Sequence, residues 1–265
     1  MNKCNIDTIK NLIKSNFYLT IIADYFIGIS GWNFENEYEI TRYLDPKSPN
    51  ILDIGGHRGE SIKNFLKFKP DASIISIEPN PVLAERIKNK FKSNKKIEVL
   101  NRAASLKKVL TLNIPKVKFY KFTALGSASK ELASDRLSHY FQFIGKKVEF
   151  ISYNVKGIKV DALKKNPDLI KIDTEGTEFD VLKSAISTLK KSRPVLMIEF
   201  NRFFYKEINT LLSNIGYKAY QYKKHGLLKR LLSNDFTIIA ERKNLTNIVY
   251  IHENSSILKK LTLLK

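Results

Sequence analysis

Several apolar runs in this chain end in carboxylates, and one of those ends is rich in glycine. The run Asn50-Ile51-Leu52-Asp53-Ile54 breaks into Gly55-Gly56-His57-Arg58-Gly59. Glycines at such a break let the backbone turn sharply and let a ligand approach the main chain closely. A second run, Ser73–Ile77, ends in Glu78-Pro79-Asn80-Pro81, 25 residues after Asp53. An acid at that place in a Rossmann-like unit accepts hydrogen bonds from two ribose hydroxyls and rejects a 2′-phosphate. A third run, Leu169–Ile172, leads into Asp173-Thr174-Glu175-Gly176-Thr177-Glu178. Strand alternation would turn Asp173 and Glu175 to one side if the strand runs that far. Paired acids there can bind a substrate hydroxyl, a metal or an ammonium group. Thr177 and Glu178 suit the capping and charge compensation of a following helix. A fourth run, Pro194–Phe200, carries Glu199 and is followed by Asn201. Surface acids have no reason to coincide with the end of every apolar run, so their convergence says more than any one motif.

The elements that must position these acids are legible from periodicity. Asn50–Gly55, Ser73–Ile77, Ile97–Leu100, Leu169–Ile172 and Pro194–Phe200 are short apolar runs of the kind found in buried parallel strands. Glu60–Lys69, Pro81–Phe91 and Glu178–Leu189 have helical spacing, and Pro81 suits a first helical turn. Repeated β-α-β predicts an α/β fold, a mainly parallel sheet with helices on both faces. Open sheets of this kind bind ligands outside the carboxyl ends of their strands, where all four acidic segments fall. Tyr217–Tyr222, Phe236–Ala240 and Asn247–Ile251 have strand character and are expected to close the carboxyl-terminal edge as antiparallel strands. The expected organisation is a helical preamble over 1–49, a core over 50–251 with a variable, strand-rich insertion at about 109–160, and a basic amphipathic tail over 252–265.

Composition limits the rest. The 265 residues are 43% hydrophobic and 27% charged, which suits a globular protein with a core of useful size. One cysteine, Cys4, allows no internal disulfide and no all-cysteine zinc site, and suits a reducing, cytoplasmic compartment. Met1–Lys14 is polar and charged, so no secretory leader is expected. Phe17–Ile29 is interrupted by Asp24 and is shorter than the roughly 20 apolar residues a spanning helix needs. The formal charge of +20 makes nucleic acid, an anionic membrane surface or phosphorylated substrates conceivable partners. The lysines are spread along the whole chain, and positive charge alone gives no specificity. A dedicated nucleic-acid site is therefore not expected. Gly226–Leu232 and Ile257–Lys265 are amphipathic, and edges of the fold are the preferred reading over peripheral membrane contact.

The segments DIGGHRGES, SIEPNP, LIKIDTEGTEFDVLKSA and PVLMIEFN, over about Ile51–Asn201, together resemble the FkbM family of S-adenosylmethionine-dependent methyltransferases. NIVYI at Asn247–Ile251 resembles the end of many members. KIDTEG is the most specific of these segments. The resemblance implies a class I, Rossmann-like methyltransferase fold with S-adenosyl-L-methionine as donor. It matches Asp53, Gly55 and Gly59 to the methionine part and Glu78 to the ribose, with Gly56, His57, Ser61, Pro79 and Asn80 beside them as further donor-binding candidates. Ala103 falls near the adenine, and Asp173 and Glu175 near the methyl-transfer centre, with Glu199 a further catalytic candidate. Gly56 and His57 depart from the Ala-Asn usual in the family, so the fine geometry of this loop is an open question for the structure. The acceptor implied is a hydroxyl on a sugar, glycolipid or secondary metabolite, chosen by the insertion and the first 49 residues. No metal is called for, although Asp173 would suit a divalent ion. Three alternatives are an RNA methyltransferase, a nicotinamide-dependent dehydrogenase and a non-catalytic nucleotide-binding module. The G-G-x-x-G spacing departs from the pyrophosphate-binding fingerprint and disfavours the dehydrogenase.

Overall fold

The computed structural model describes residues 36–117, 120–123, 126–131, 133, 134, 137, 148–201, 203–223, 225–232, 235 and 247–264. The expectations for Cys4, Met1–Lys14, Phe17–Ile29 and Phe236–Ala240 fall outside them. Of the helical preamble, the described part contains a 3-10 helix at Asn36–Tyr43.

In chain order the elements are β1 (Asn50–Ile54), α1 (Glu60–Phe68), β2 (Ser73–Ile77), α2 (Pro81–Lys90), β3 (Ile97–Leu100), β4 (Ala103–Ala104), β5 (Val109–Val117), β6 (Tyr120–Lys121), β7 (Glu149–Ile158), β8 (Leu169–Ile172), α3 (Glu178–Lys183), α4 (Ile186–Ser192), β9 (Val195–Glu199), α5 (Tyr205–Ser213), β10 (Tyr217–Tyr222), β11 (Leu227–Arg230), β12 (Asn247–His252) and β13 (Thr262–Leu264). Chain contacts divide these into two units, Met1–Asn33 with Thr111–Asn154 and Phe34–Leu110 with Val155–Lys265.

The larger unit is built on a nine-stranded sheet in the order β13-β11-β10-β12-β9-β8-β1-β2-β3. The five strands β9, β8, β1, β2 and β3 run parallel. β12 is antiparallel to both β9 and β10, and β11 is antiparallel to β10. This is the class I, Rossmann-like α/β architecture the motifs imply. Chain order runs outward in one direction from β1 to β2 and β3, and in the other from β8 to β9. The switch point lies between β1 and β8, where such sheets open a crevice at their carboxyl ends.

Each face is covered. Ile54, Ile172, Ile198 and Tyr250 pack under Val181, Leu189 and Leu212 of α3, α4 and α5. On the other face Ile51, Leu169, Met197 and Val249 pack under Ile62 and Phe65 of α1, Ile87 of α2, and Tyr38 and Ile40 of the 3-10 helix. Burying each of these side chains contributes roughly 1.5–3 kcal/mol relative to exposure.

Two elements differ from the sequence reading. The single helix expected over Glu178–Leu189 is two, broken at Ser184-Ala185. The Ser184 hydroxyl donates to the Val181 carbonyl at 2.7 Å. Asp161, 26 residues upstream, then opens a new helix by accepting the Ser187 and Thr188 amides at 3.1 and 2.8 Å. Such a long-range cap leaves no trace in helical periodicity. Second, α5 is an element the sequence reading passes over. The amphipathic segments at 226–232 and 257–265 supply β11 and β13, which pair in parallel at the sheet edge. Among the described residues no helix is long and apolar enough to cross a membrane.

In the smaller unit β5 and β6 form a tight antiparallel pair, Val117 opposite Tyr120. Val117, Phe122 and Leu137 form its apolar cluster.

Replacing Asp161 with Ala removes the cap of α4 and is expected to cost about 1–2 kcal/mol in urea unfolding. A loss below about 0.5 kcal/mol would show that α4 starts without it.

Candidate functional site

The turn after β1 is shaped by what a side chain would strike. Gly55 has φ +90°, and a Cβ there would lie well inside contact distance of the Asp173 carbonyl oxygen. Its amide donates to the Ile77 carbonyl at 2.9 Å. The loops after β1, β2 and β8 are thereby drawn together at the switch point. Gly59, at φ +79°, starts α1, and a Cβ there would lie 2.8 Å from the Phe91 ring. Gly56 packs on Ser76 and Asp53: a Cβ would crowd the Ser76 hydroxyl. Glycine at 56 and serine at 76 thus occupy one small space between them, which accounts locally for the departure from alanine.

Asp53 lies inside the fold near the end of β1. It is fully buried, and its Oδ2 accepts the hydroxyls of Ser61 and Ser76 at 2.7 and 3.0 Å. Ser61, a donor-binding candidate, therefore directs its hydroxyl to Asp53. Burial pushes the Asp53 carboxyl up, against the nearby Lys171 ammonium and the two hydroxyls.

Glu78 is 5% exposed at the end of β2. Its Oε2 accepts the His57 amide and its Oε1 the Asn80 amide, each at 2.8 Å. Burial wins over these hydrogen bonds and pushes the carboxyl up to about 7. The His57 contribution comes from its main chain, in a left-handed conformation (φ +46°), so it does not depend on the imidazole. A carboxylate has about four lone-pair sites, so two amides leave room for two hydroxyl donors. Asn80 also caps α2, accepting the Val82 amide at 3.0 Å. Asn101, which no motif singled out, donates to the carbonyls of Glu78 and Pro79 at 2.9 and 3.0 Å and holds this turn. Ala103 lies on β4 opposite Gly157 of β7.

Asp173, Glu175 and Glu199 each bring one carboxylate oxygen to within 4.8 Å of the others. The strand alternation expected to align Asp173 with Glu175 is not the cause, because β8 ends at Ile172. Glu175 reaches the cluster from a left-handed conformation (φ +55°) followed by Gly176 at φ +109°. A non-glycine residue held there marks a strained turn, of the kind that gathers at functional sites. Glu178 holds that turn. Its Oε1 accepts the Thr174 amide and hydroxyl, both at 3.2 Å, and the Gly176 amide at 2.9 Å. Its Oε2 accepts the Asn201 side-chain amide at 3.1 Å. Read from sequence as a helix-end charge, Glu178 is completely buried and ties the loop after β8 to the loop after β9.

Lys171 is the largest omission of the sequence reading. It sits mid-strand in β8, 3% exposed, and its Nζ donates to Asp173 Oδ2 at 2.9 Å. Burial works against its charge, but the carboxylates of Asp173 and Asp53 prevail and hold it well above the usual lysine range. The reciprocal effect holds Asp173 below the usual aspartate range despite burial.

The family model for the methyltransferase FkbM domain matches residues 53–219, which span every loop described above. The chain belongs to the FkbM methyltransferase family. It is 26% identical over 167 residues to the 2-O-methyltransferase NoeI of Sinorhizobium fredii, a match covering 58% of this chain and 65% of that protein. The chain thus spans a little under two thirds of that curated relative. Among solved structures, methyltransferase FkbM from Methylobacillus flagellatus is similar at 17% identity and a TM-score of 0.46, covering 78% of this chain and 44% of that one. A TehB-like S-adenosylmethionine-dependent methyltransferase from Corynebacterium glutamicum is similar at 12% identity and a TM-score of 0.43, covering 88% and 96%.

Glu178→Gln keeps the volume but turns an amide donor toward the Asn201 amide. In this FkbM domain it is expected to lower unfolding stability by about 2 kcal/mol, measured in urea. An unchanged midpoint would show that Glu178 does not hold the two loops together.

Proposed function

We propose that the chain is an S-adenosylmethionine-dependent O-methyltransferase that methylates a hydroxyl of a sugar, a glycolipid or a small metabolite. The observation that carries this reading is the meeting of Asp173, Glu175 and Glu199 beside a glycine turn with no room for a Cβ at Gly55. When bound, the donor supplies a methyl group on a positively charged sulfur. The residues present fit it. The Gly55–Gly59 turn gives a close main-chain approach at the switch point, and Glu78 offers two hydroxyls an anchored carboxylate.

The reaction asks the protein for positioning and for a place to put the hydroxyl proton. Asp173 is partly exposed, with a third of its side chain accessible, and is held as a carboxylate by Lys171. It is suited to orient an acceptor hydroxyl and take its proton, with Glu175 and Glu199 completing the acidic wall. Negative charge on this wall also favours a cationic donor over the neutral thioether product. The name of the NoeI relative, a 2-O-methyltransferase, supports oxygen as the methylated atom. A sugar or glycolipid as its carrier is our extension. We assign no metal to the site.

Because Glu78 must be ionised to accept two hydroxyls, donor and product should bind more weakly as pH falls below about 7, approaching tenfold per unit. Calorimetric titration with S-adenosylmethionine and S-adenosylhomocysteine between pH 8 and pH 5.5 is expected to show this. Glu78→Ala should weaken both by at least 100-fold. Absence of binding by either ligand to the folded chain would end the methyltransferase reading.

A further inference from the structure

The row of side chains beneath the site is polar where its neighbours on the sheet face are apolar. Ser76 of β2, Asp53 of β1 and Lys171 of β8 are successive register partners, so they project from the same face. All three are at most 3% exposed. Asp53 Oδ1 has no hydrogen-bond partner among the described residues. The Lys171 ammonium therefore stands between two carboxylates, bonded to Asp173 and attracted by Asp53. A lone buried ammonium is costly, and a lysine on a core strand is retained only with such compensation.

Asp173 also has carboxylate oxygens of Glu175 and Glu199 within 4.8 Å. Of the three acids, Asp173 is the one that Lys171 contacts, at 2.9 Å. The other charged or titratable groups around Asp173 are Asp53 from β1, His57 from the turn after β1, Glu78 from the end of β2 and Glu175 from its own loop, while Tyr38 of the 3-10 helix faces Lys171.

We propose that Lys171 is a positioning residue for the acidic cluster: it holds Asp173 as the carboxylate that receives the acceptor's proton. This rests on the methyl-transfer reading above. In the step itself the acceptor oxygen forms a bond to the methyl carbon. The carbon–sulfur bond breaks with its electron pair staying on sulfur, which becomes a neutral thioether. The hydroxyl proton passes to Asp173. The exposed side of Asp173 then releases it to water, and Lys171 restores the carboxylate.

The test needs no known acceptor. Protein labelled with 13C at aspartate side-chain carboxyls is titrated by NMR as wild type, Lys171→Arg and Lys171→Met, with Asp173→Asn assigning the signal. In wild type and Lys171→Arg, Asp173 is expected to titrate below the ordinary aspartate range. In Lys171→Met it should move up by at least one unit. An Asp173 signal that titrates alike in wild type and Lys171→Met overturns the proposal.

If Lys171→Met does not fold, Lys171→Met/Asp173→Asn removes both charges. Folding of the double variant alone supports the pairing, and failure of both makes Lys171 a core residue and overturns it. The carboxyl titration is read without ligand. A chain that binds neither S-adenosylmethionine nor S-adenosylhomocysteine would sink the methyltransferase reading and still report whether Lys171 controls Asp173.

Discussion

The Asp173 carbonyl oxygen lies where a side chain on Gly55 would begin, and the rest of the site follows from that contact. β1 and β8 are neighbours at the switch point, so the loops at their carboxyl ends must either splay apart or pack main chain on main chain. Here they pack, because residue 55 has no Cβ and adopts a positive φ. That packing sets the glycine turn directly beside the acids at 173, 175 and 199. Glu178 and Asn201 then extend the same frame to β9, and the His57 amide extends it to Glu78. Four loops from distant parts of the sequence are fixed by a few hydrogen bonds, several of them to the carboxylates of Glu78 and Glu178.

The electrostatics of this arrangement run against those of the whole chain. The formal charge is +20, yet Asp53, Glu78, Asp173, Glu175, Glu178 and Glu199 gather at one rim, with Lys171 the only lysine bonded to any of them among the described residues. A crevice that is negative inside a basic protein attracts a cationic ligand locally, while the outer surface attracts anions. The cost of this concentration shows in Glu78 and Asp53, whose carboxyls burial pushes upward. Lys171 and the backbone amides keep the cluster from losing its charge altogether.

Much of this was legible in the amino-acid sequence. β2, β3, β8 and β10 fall on the residues that the sequence reading gave them. The motif residues also meet at one rim, with Asp173, Glu175 and Glu199 brought together there. What periodicity could not show were interactions between residues far apart in sequence. The break between α3 and α4 depends on Asp161, and the aim of Glu178 depends on Asn201. Lys171 was hidden by its neighbours, since LIKI reads as an ordinary core strand until its register partner is seen to be Asp53. A lysine inside an otherwise apolar run was the available signal, and it marks a position where a buried counter-charge has to be sought. The glycine motif likewise could not show that the Ser61 hydroxyl turns onto Asp53.

The central claim is that a methyl donor lies across the β1–β8 switch point, with its ribose on Glu78 and its sulfur toward the acidic cluster. A crystal structure with S-adenosylhomocysteine tests it most directly. The account predicts both ribose hydroxyls within hydrogen-bond distance of Glu78, the amino-acid end over Gly55–Gly59, and the sulfur facing Asp173, Glu175 and Glu199. Density for the ligand at the amino ends of the strands, in the groove of about 290 Å³ bordered by Lys95, Lys96 and Lys165, would contradict it.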